Sequence, residues 1–81
     1  METHQIAVES IYVPAKRRRT VDEAKVEDLA ASVMEDGVKV PLQVRQDGER
    51  IVLVEGLHRL EAAKALGEAT VPCIYVGAKR F

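Results

Sequence analysis

Hydrophobic and polar positions divide the chain into strand-like and helix-like stretches. "HQIAVESIYV", residues 4–13, is rich enough in β-branched and apolar residues to predict a first strand, ended by Pro14 ahead of a basic loop, "KRRR" at Lys16 to Arg19. "TVDE" has the form of a capping box, with Thr20 as N-cap and Glu23 three residues on. Val26, Leu29, Ala30, Val33 and Met34 then recur at helical spacing up to Gly37, which predicts an amphipathic helix. "VPLQVRQ" and "ERIVLVE" flank Asp47-Gly48, a pairing that supplies the positive φ of a type I′ turn and predicts a β-hairpin. "HRLEAAKAL" is rich in helix formers and stops at Gly67. "TVPCIYV" reads as a last strand whose Pro72 points to an edge or entry position. The order is β-α-β-β-α-β. No repeat, low-complexity segment or linker interrupts it, which predicts a single domain over residues 1–81, with "GAKRF" at its end free to fray.

Composition narrows the function classes. A chain of 81 residues, 47% hydrophobic and 31% charged, fits one small globular domain with a modest core. Twelve Lys+Arg against 13 Asp+Glu give a formal net charge of -1, so any attraction to phosphate has to be local. No apolar run approaches the roughly 20 residues that cross a bilayer, and "METHQIAVES" has no charged and apolar signal-peptide pattern. The expectation is a cytoplasmic protein without a membrane. Cys73 is alone, which excludes an internal disulfide, and with only His4 and His58 beside it no metal-ligand spacing is predicted.

The candidate chemistry sits in "VEGLHRLEAAKALG". Gly56 falls where a buried strand turns into a helix, so the first N–H groups of that helix come free and a ligand can approach without a Cβ in its way. Such a start binds anions. His58 and Arg59 fall in the first turn, where cations oppose the helix dipole unless an anion sits before them. Arg59 can fork onto phosphate and His58 can add one ring N–H. The same residues also fit a surface arginine and a core-edge histidine at a plain strand-to-helix turn. On the first helix Lys25, Asp28 and Ser32 share a face, either a second half-site or a solvated polar face with an Asp–Lys pair. "KRRR" can clamp phosphates or be an ordinary basic loop. Aromatic residues make up only 4% of the chain, with Tyr12, Tyr75 and Phe81 as the stock available for base stacking.

"RRTVDEAKVEDLAASVMEDGVKVPLQVR", followed by "VEGLHRLEAAKALGEATVPCIYV", resembles the ParB N-terminal domain, whose superfamily also contains sulfiredoxin. The resemblance covers nearly the whole chain and implies an α+β fold with a small mixed sheet and helices packed on it. Its most specific element is the G-x-x-R loop, here Gly56, Leu57, His58 and Arg59. In that superfamily the loop holds nucleotide phosphates, so the resemblance implies ATP/ADP or CTP as ligand, with or without Mg2+. Lys25 and Ser32 match nucleotide-contacting positions of sulfiredoxin, and Asp28 falls where sulfiredoxin has a serine. The connection carrying Arg17, Arg18 and Arg19 borders the same cleft in the family.

Departures from the pattern limit what is carried over. Sulfiredoxin's catalytic cysteine is replaced by Leu57, so a sulfinic-acid reductase is not expected, and Cys73 in an apolar strand is no substitute. "YVPAKRRR" lacks the glutamine usual in ParB, and the 81 residues contain no helix-turn-helix, so sequence-specific DNA clamping by this chain alone is not expected. One reading is a bacterial nucleotide-binding domain, with nucleotidase or phosphotransferase activity open. There Glu55 would act as a base or metal-bridging carboxylate, or stay merely solvated. A DNA-associated accessory protein of plasmid or chromosome partition or transcription regulation is the alternative, with weak non-specific contacts through Lys16 to Arg19 and a protein partner. A third is an oligomer-forming interaction domain that has lost its ligand, with a homodimer among the assemblies left open.

Overall fold

The computed structural model describes residues 2–37 and 40–77. Of the tail expected to fray, residues 77–81, all but Gly77 lies outside them. The stretch expected to form one strand forms two: β1 (His4–Ala7) and β2 (Ile11–Tyr12), separated by a 3₁₀ turn at Val8–Ser10. Helices α1 (Ala15–Arg18) and α2 (Glu23–Asp36) follow, then the hairpin β3 (Leu42–Asp47) and β4 (Arg50–Glu55), helix α3 (Leu57–Ala65) and strand β5 (Thr70–Tyr75).

The five strands form one mixed sheet in the order β1-β5-β3-β4-β2. β1 runs antiparallel to β5, β5 parallel to β3, β3 antiparallel to β4, and β4 parallel to β2. The two halves of the expected first strand are therefore the two opposite edges of the sheet. In a flat sheet these edges would lie about 19 Å apart. The chain between Ala7 and Ile11 spans about 14 Å even when stretched. The sheet must curl, and its curl is what divides the strand.

Four further local expectations are corrected. "KRRR" is not wholly loop, because Lys16, Arg17 and Arg18 belong to the single turn of α1. The N-cap of α2 is Asp22, not Thr20: the Asp22 carboxylate accepts from the N–H groups of Ala24 and Lys25, at 3.0 and 3.4 Å. Thr20 instead belongs to the end of α1, where its hydroxyl donates to the Arg17 carbonyl at 2.7 Å, two residues before the cap position of α2. In the hairpin Asp47 pairs with Arg50, so the two-residue turn is Gly48-Glu49. Gly48 has φ 61 and no described non-glycine residue has positive φ, which is the type II′ pattern rather than I′. Pro72 sits on an inner strand. The N–H of Val8 bonds the Ala69 carbonyl, and alternation along that ladder makes Gln5↔Pro72 a non-hydrogen-bonded pair. On its other side β3 begins only opposite Cys73, so the missing N–H costs no bond there.

The core lies between the sheet and α3. Leu42, Val44, Val71, Cys73, Leu60 and Ala63 are fully buried, joined by Ile6, Val8, Ile11, Val13, Leu53 and Leu57. Burial pushes the Cys73 thiol up in pKa, so it stays protonated and packs as an apolar residue. α2 lies farther out and packs against α3. It buries Val26 alone, while Met34, expected on its apolar stripe, is 74% exposed. No helix among the described residues is long and apolar enough to cross a membrane.

Candidate functional site

The carboxyl end of β4 builds the floor of a cleft. Gln43 pairs with Glu55 while Val44 pairs with Leu53, which leaves Val54 without a partner as a β-bulge. The bulge frees the Val54 carbonyl, and Arg17 of α1 donates to it from Nη1 at 2.6 Å. Gly56 then turns the chain with φ 111, a conformation that strains a residue bearing a side chain. A Cβ there would lie 2.8 Å from Leu42 Cγ and 3.4 Å from Arg59 Nη1. Leu57 buries its side chain in the core and anchors the first turn of α3. The first intrahelical bond runs from the N–H of Leu60 to the Gly56 carbonyl at 2.9 Å, so the N–H groups of Leu57, His58 and Arg59 precede it at the helix start.

The cleft has a volume of about 530 Å³ and lies between this turn, α1 and the first turns of α2. Arg17, Lys25, Asp28, Glu55, Gly56, Leu57, His58 and Arg59 line it together with Thr20 and Leu29. Three cations, Arg17, Lys25 and Arg59, thus face two carboxylates, Asp28 and Glu55, in a chain whose formal net charge is -1. Among the described residues the side chains of Lys25, Asp28, Glu55 and Arg59 form no hydrogen bond or ion pair; the alternative Asp–Lys pair on α2 is absent. Arg59 is nonetheless half-buried. A half-buried arginine without a partner among the described residues, its guanidinium beside Gly56 at the helix start, is an arrangement that an anion would complete.

Not every candidate comes to the cleft. Ser32 lies seven residues beyond Lys25, roughly 10 Å along the helix axis, and faces a separate depression with Ala31, Met34 and Glu35. Of the three consecutive arginines only Arg17 lines the cleft, because successive helical residues point about 100° apart. Arg18 bonds the Val13 carbonyl from Nε at 3.1 Å, and Arg19 is exposed at the end of α1. His58 is in the cleft with its Nε2 turned to the backbone N–H of Asp22, 3.0 Å away. Tyr12 and Tyr75 do not line the cleft; Tyr12 lies under the Arg50 guanidinium and Tyr75 against the His4 ring. Phe81 lies outside the described residues. Sequence reasoning missed Thr20 and Leu29 as lining residues. Leu29 carries the helical apolar spacing that marks a core position, and no sequence signal told its face from that of Val26.

The family model for the ParB N-terminal domain matches residues 1–80. A chromosome-partitioning protein ParB from Myxococcus xanthus is 35% identical over 71 residues, which are 86% of this chain and 24% of that protein. The crystal structure of sulfiredoxin from Arabidopsis thaliana superposes with a TM-score of 0.85 at 30% identity, covering 94% of this chain and 85% of that one. C-terminally truncated ParB from Caulobacter crescentus, complexed with CTP-gamma-S, superposes with a TM-score of 0.82 at 30% identity, covering 98% of this chain and 46% of that one. The same Caulobacter protein has also been crystallised on the centromeric parS site. The chain spans about a quarter of the length of the Myxococcus ParB.

Proposed function

The chain belongs to the ParB N-terminal domain family, and we propose that its cleft binds a nucleoside di- or triphosphate by the phosphates. The free N–H groups of Leu57 to Arg59 take phosphate oxygens, the turn at Gly56 points those groups outward, and Arg59, Lys25 and Arg17 neutralise the phosphate charge. The observation that carries this reading is Arg59, half-buried beside the start of α3 and without a partner among the described residues. The nucleotide analogue bound by the Caulobacter relative supports it. Asp28 and Glu55 add carboxylate oxygens of the kind Mg2+ takes alongside substrate phosphates. Calorimetric titration with ADP, ATP and CTP, with and without magnesium, tests the proposal. Arg59→Ala is expected to weaken binding by about 1.5–3 kcal/mol, roughly ten- to hundredfold. Parent-like affinity in that variant would refute the site.

Lys16, Arg18 and Arg19 do not line the cleft, and together with the parS complex of the Caulobacter relative they support a second, weaker role in touching DNA. So few cations neutralise only a few phosphates, so binding is non-specific and fades towards physiological salt. In a gel shift at low salt, replacing Lys16, Arg18 and Arg19 with alanine should abolish DNA retardation and leave ADP affinity unchanged. No retardation of the parent at low salt would remove this role.

A further inference from the structure

His58 reaches from one wall of the cleft to the other. The backbone N–H of Asp22 donates to its Nε2 at 3.0 Å, while the Asp22 carboxylate accepts from the N–H groups of Ala24 and Lys25. An imidazole nitrogen that accepts carries no proton, so the ring is the neutral tautomer with its hydrogen on Nδ1. The bonds form a relay from α3 through His58 to Asp22, and from Asp22 to the first turn of α2, which presents Lys25 to the cleft. α2 fully buries only Val26, so its packing on α3 is supplemented at its start by this polar tie.

We infer that His58 is a positioning residue, holding the N-terminus of α2 and with it Lys25 against the phosphate loop, instead of giving the phosphates a cation. This rests on the nucleotide reading of the cleft. A neutral acceptor also removes the conflict of a cation in the first turn of α3, where the helix dipole opposes one. A cationic phosphate contact needs both ring nitrogens protonated, whereas the positioning role needs Nε2 free to accept and leaves only the Nδ1–H as a donor.

His58→Arg offers donors and a charge but no acceptor, His58→Gln offers an acceptor oxygen, and His58→Ala offers neither. ADP affinity should fall roughly five- to tenfold in His58→Ala and His58→Arg and stay within about threefold of the parent in His58→Gln. In the ligand-free chain, nitrogen-15 NMR of the histidine ring should report an unprotonated Nε2 at neutral pH. Exchange of the Asp22 amide should speed up in His58→Ala and His58→Arg but not in His58→Gln. Parent-like or tighter ADP binding by His58→Arg, a protonated Nε2, or an Asp22 amide indifferent to His58→Ala would each overturn the inference. If the parent bound no ADP, the nucleotide reading would fall by itself. The tautomer and the Asp22 amide would still decide whether His58 holds α2, and both can be read on the parent and His58→Gln should the other variants fail to fold.

Discussion

α2 and α3 face each other across one cleft but are attached to the molecule in opposite ways. α3 has nine residues and buries Leu57, Leu60, Ala62 and Ala63. α2 has 14 residues and buries Val26 alone, with Leu29, Ala30 and Val33 half-covered. α3 is fixed by packing, which is lost only when the domain unfolds. α2 is fixed at its N-terminus by polar contacts: the Asp22 cap, and the bond from Asp22 N–H to His58. Segments with few buried apolar contacts open at lower free energy than the core. The wall that carries Lys25 is therefore the one able to move, while the wall that supplies the backbone N–H groups stays put.

The sharpest way to break this comparison is at Leu60, which is fully buried. Leu60→Ala should cost about 2–5 kcal/mol in a denaturant titration and lower the stability of both helices together. Small domains have only about 5–15 kcal/mol in total, so the variant is expected to leave a measurable unfolded fraction at ambient temperature. A variant that melts α3 while leaving α2 and the sheet protected would show that α3 is not the fixed wall. Asp22→Ala is a smaller and more local test. It removes the cap carboxylate but keeps the backbone N–H that bonds His58, and should cost about 1 kcal/mol. Amide exchange should accelerate over the first turn of α2 with α3 unaffected; equal acceleration in both helices would mean that they open as one unit.

The parts of this architecture that depend on local chemistry were legible in the sequence. Gly56 marks the start of α3 because its φ of 111 strains any residue with a Cβ, and Gly37, which ends α2, likewise has positive φ. Features set by distant partners were not. The division of the first strand depends on β5 and β4, whose residues lie far along the chain, and the apolar pattern of "HQIAVESIYV" runs through the break unchanged. Thr20 and Asp22 are both good caps, and which one caps was decided by where α1 ends: its last turn takes in Thr20 and leaves Asp22 next to Glu23. The direction of the His58 hydrogen bond was hidden for the same reason, because its partner is a backbone N–H 36 residues away, and no residue type announces a free N–H. In the cleft, the glycine, the cations and the carboxylates could be named from the sequence. The Val54 bulge that orients Arg17 could not, since a carbonyl left out of a ladder has no letter.

The pairing of β1 with β5 also sets an order of events during synthesis. His4 lies opposite Cys73 and Ile6 opposite Val71. At roughly 5–20 residues per second, a ribosome takes about 3–14 s to make the chain between His4 and its partner. For that interval the earliest strand has no ladder to join, and the hairpin and both long helices are made before it can dock. Of the five strands the one made first is thus among the last to find its place, and it completes the sheet at the opposite end of the strand order from β2.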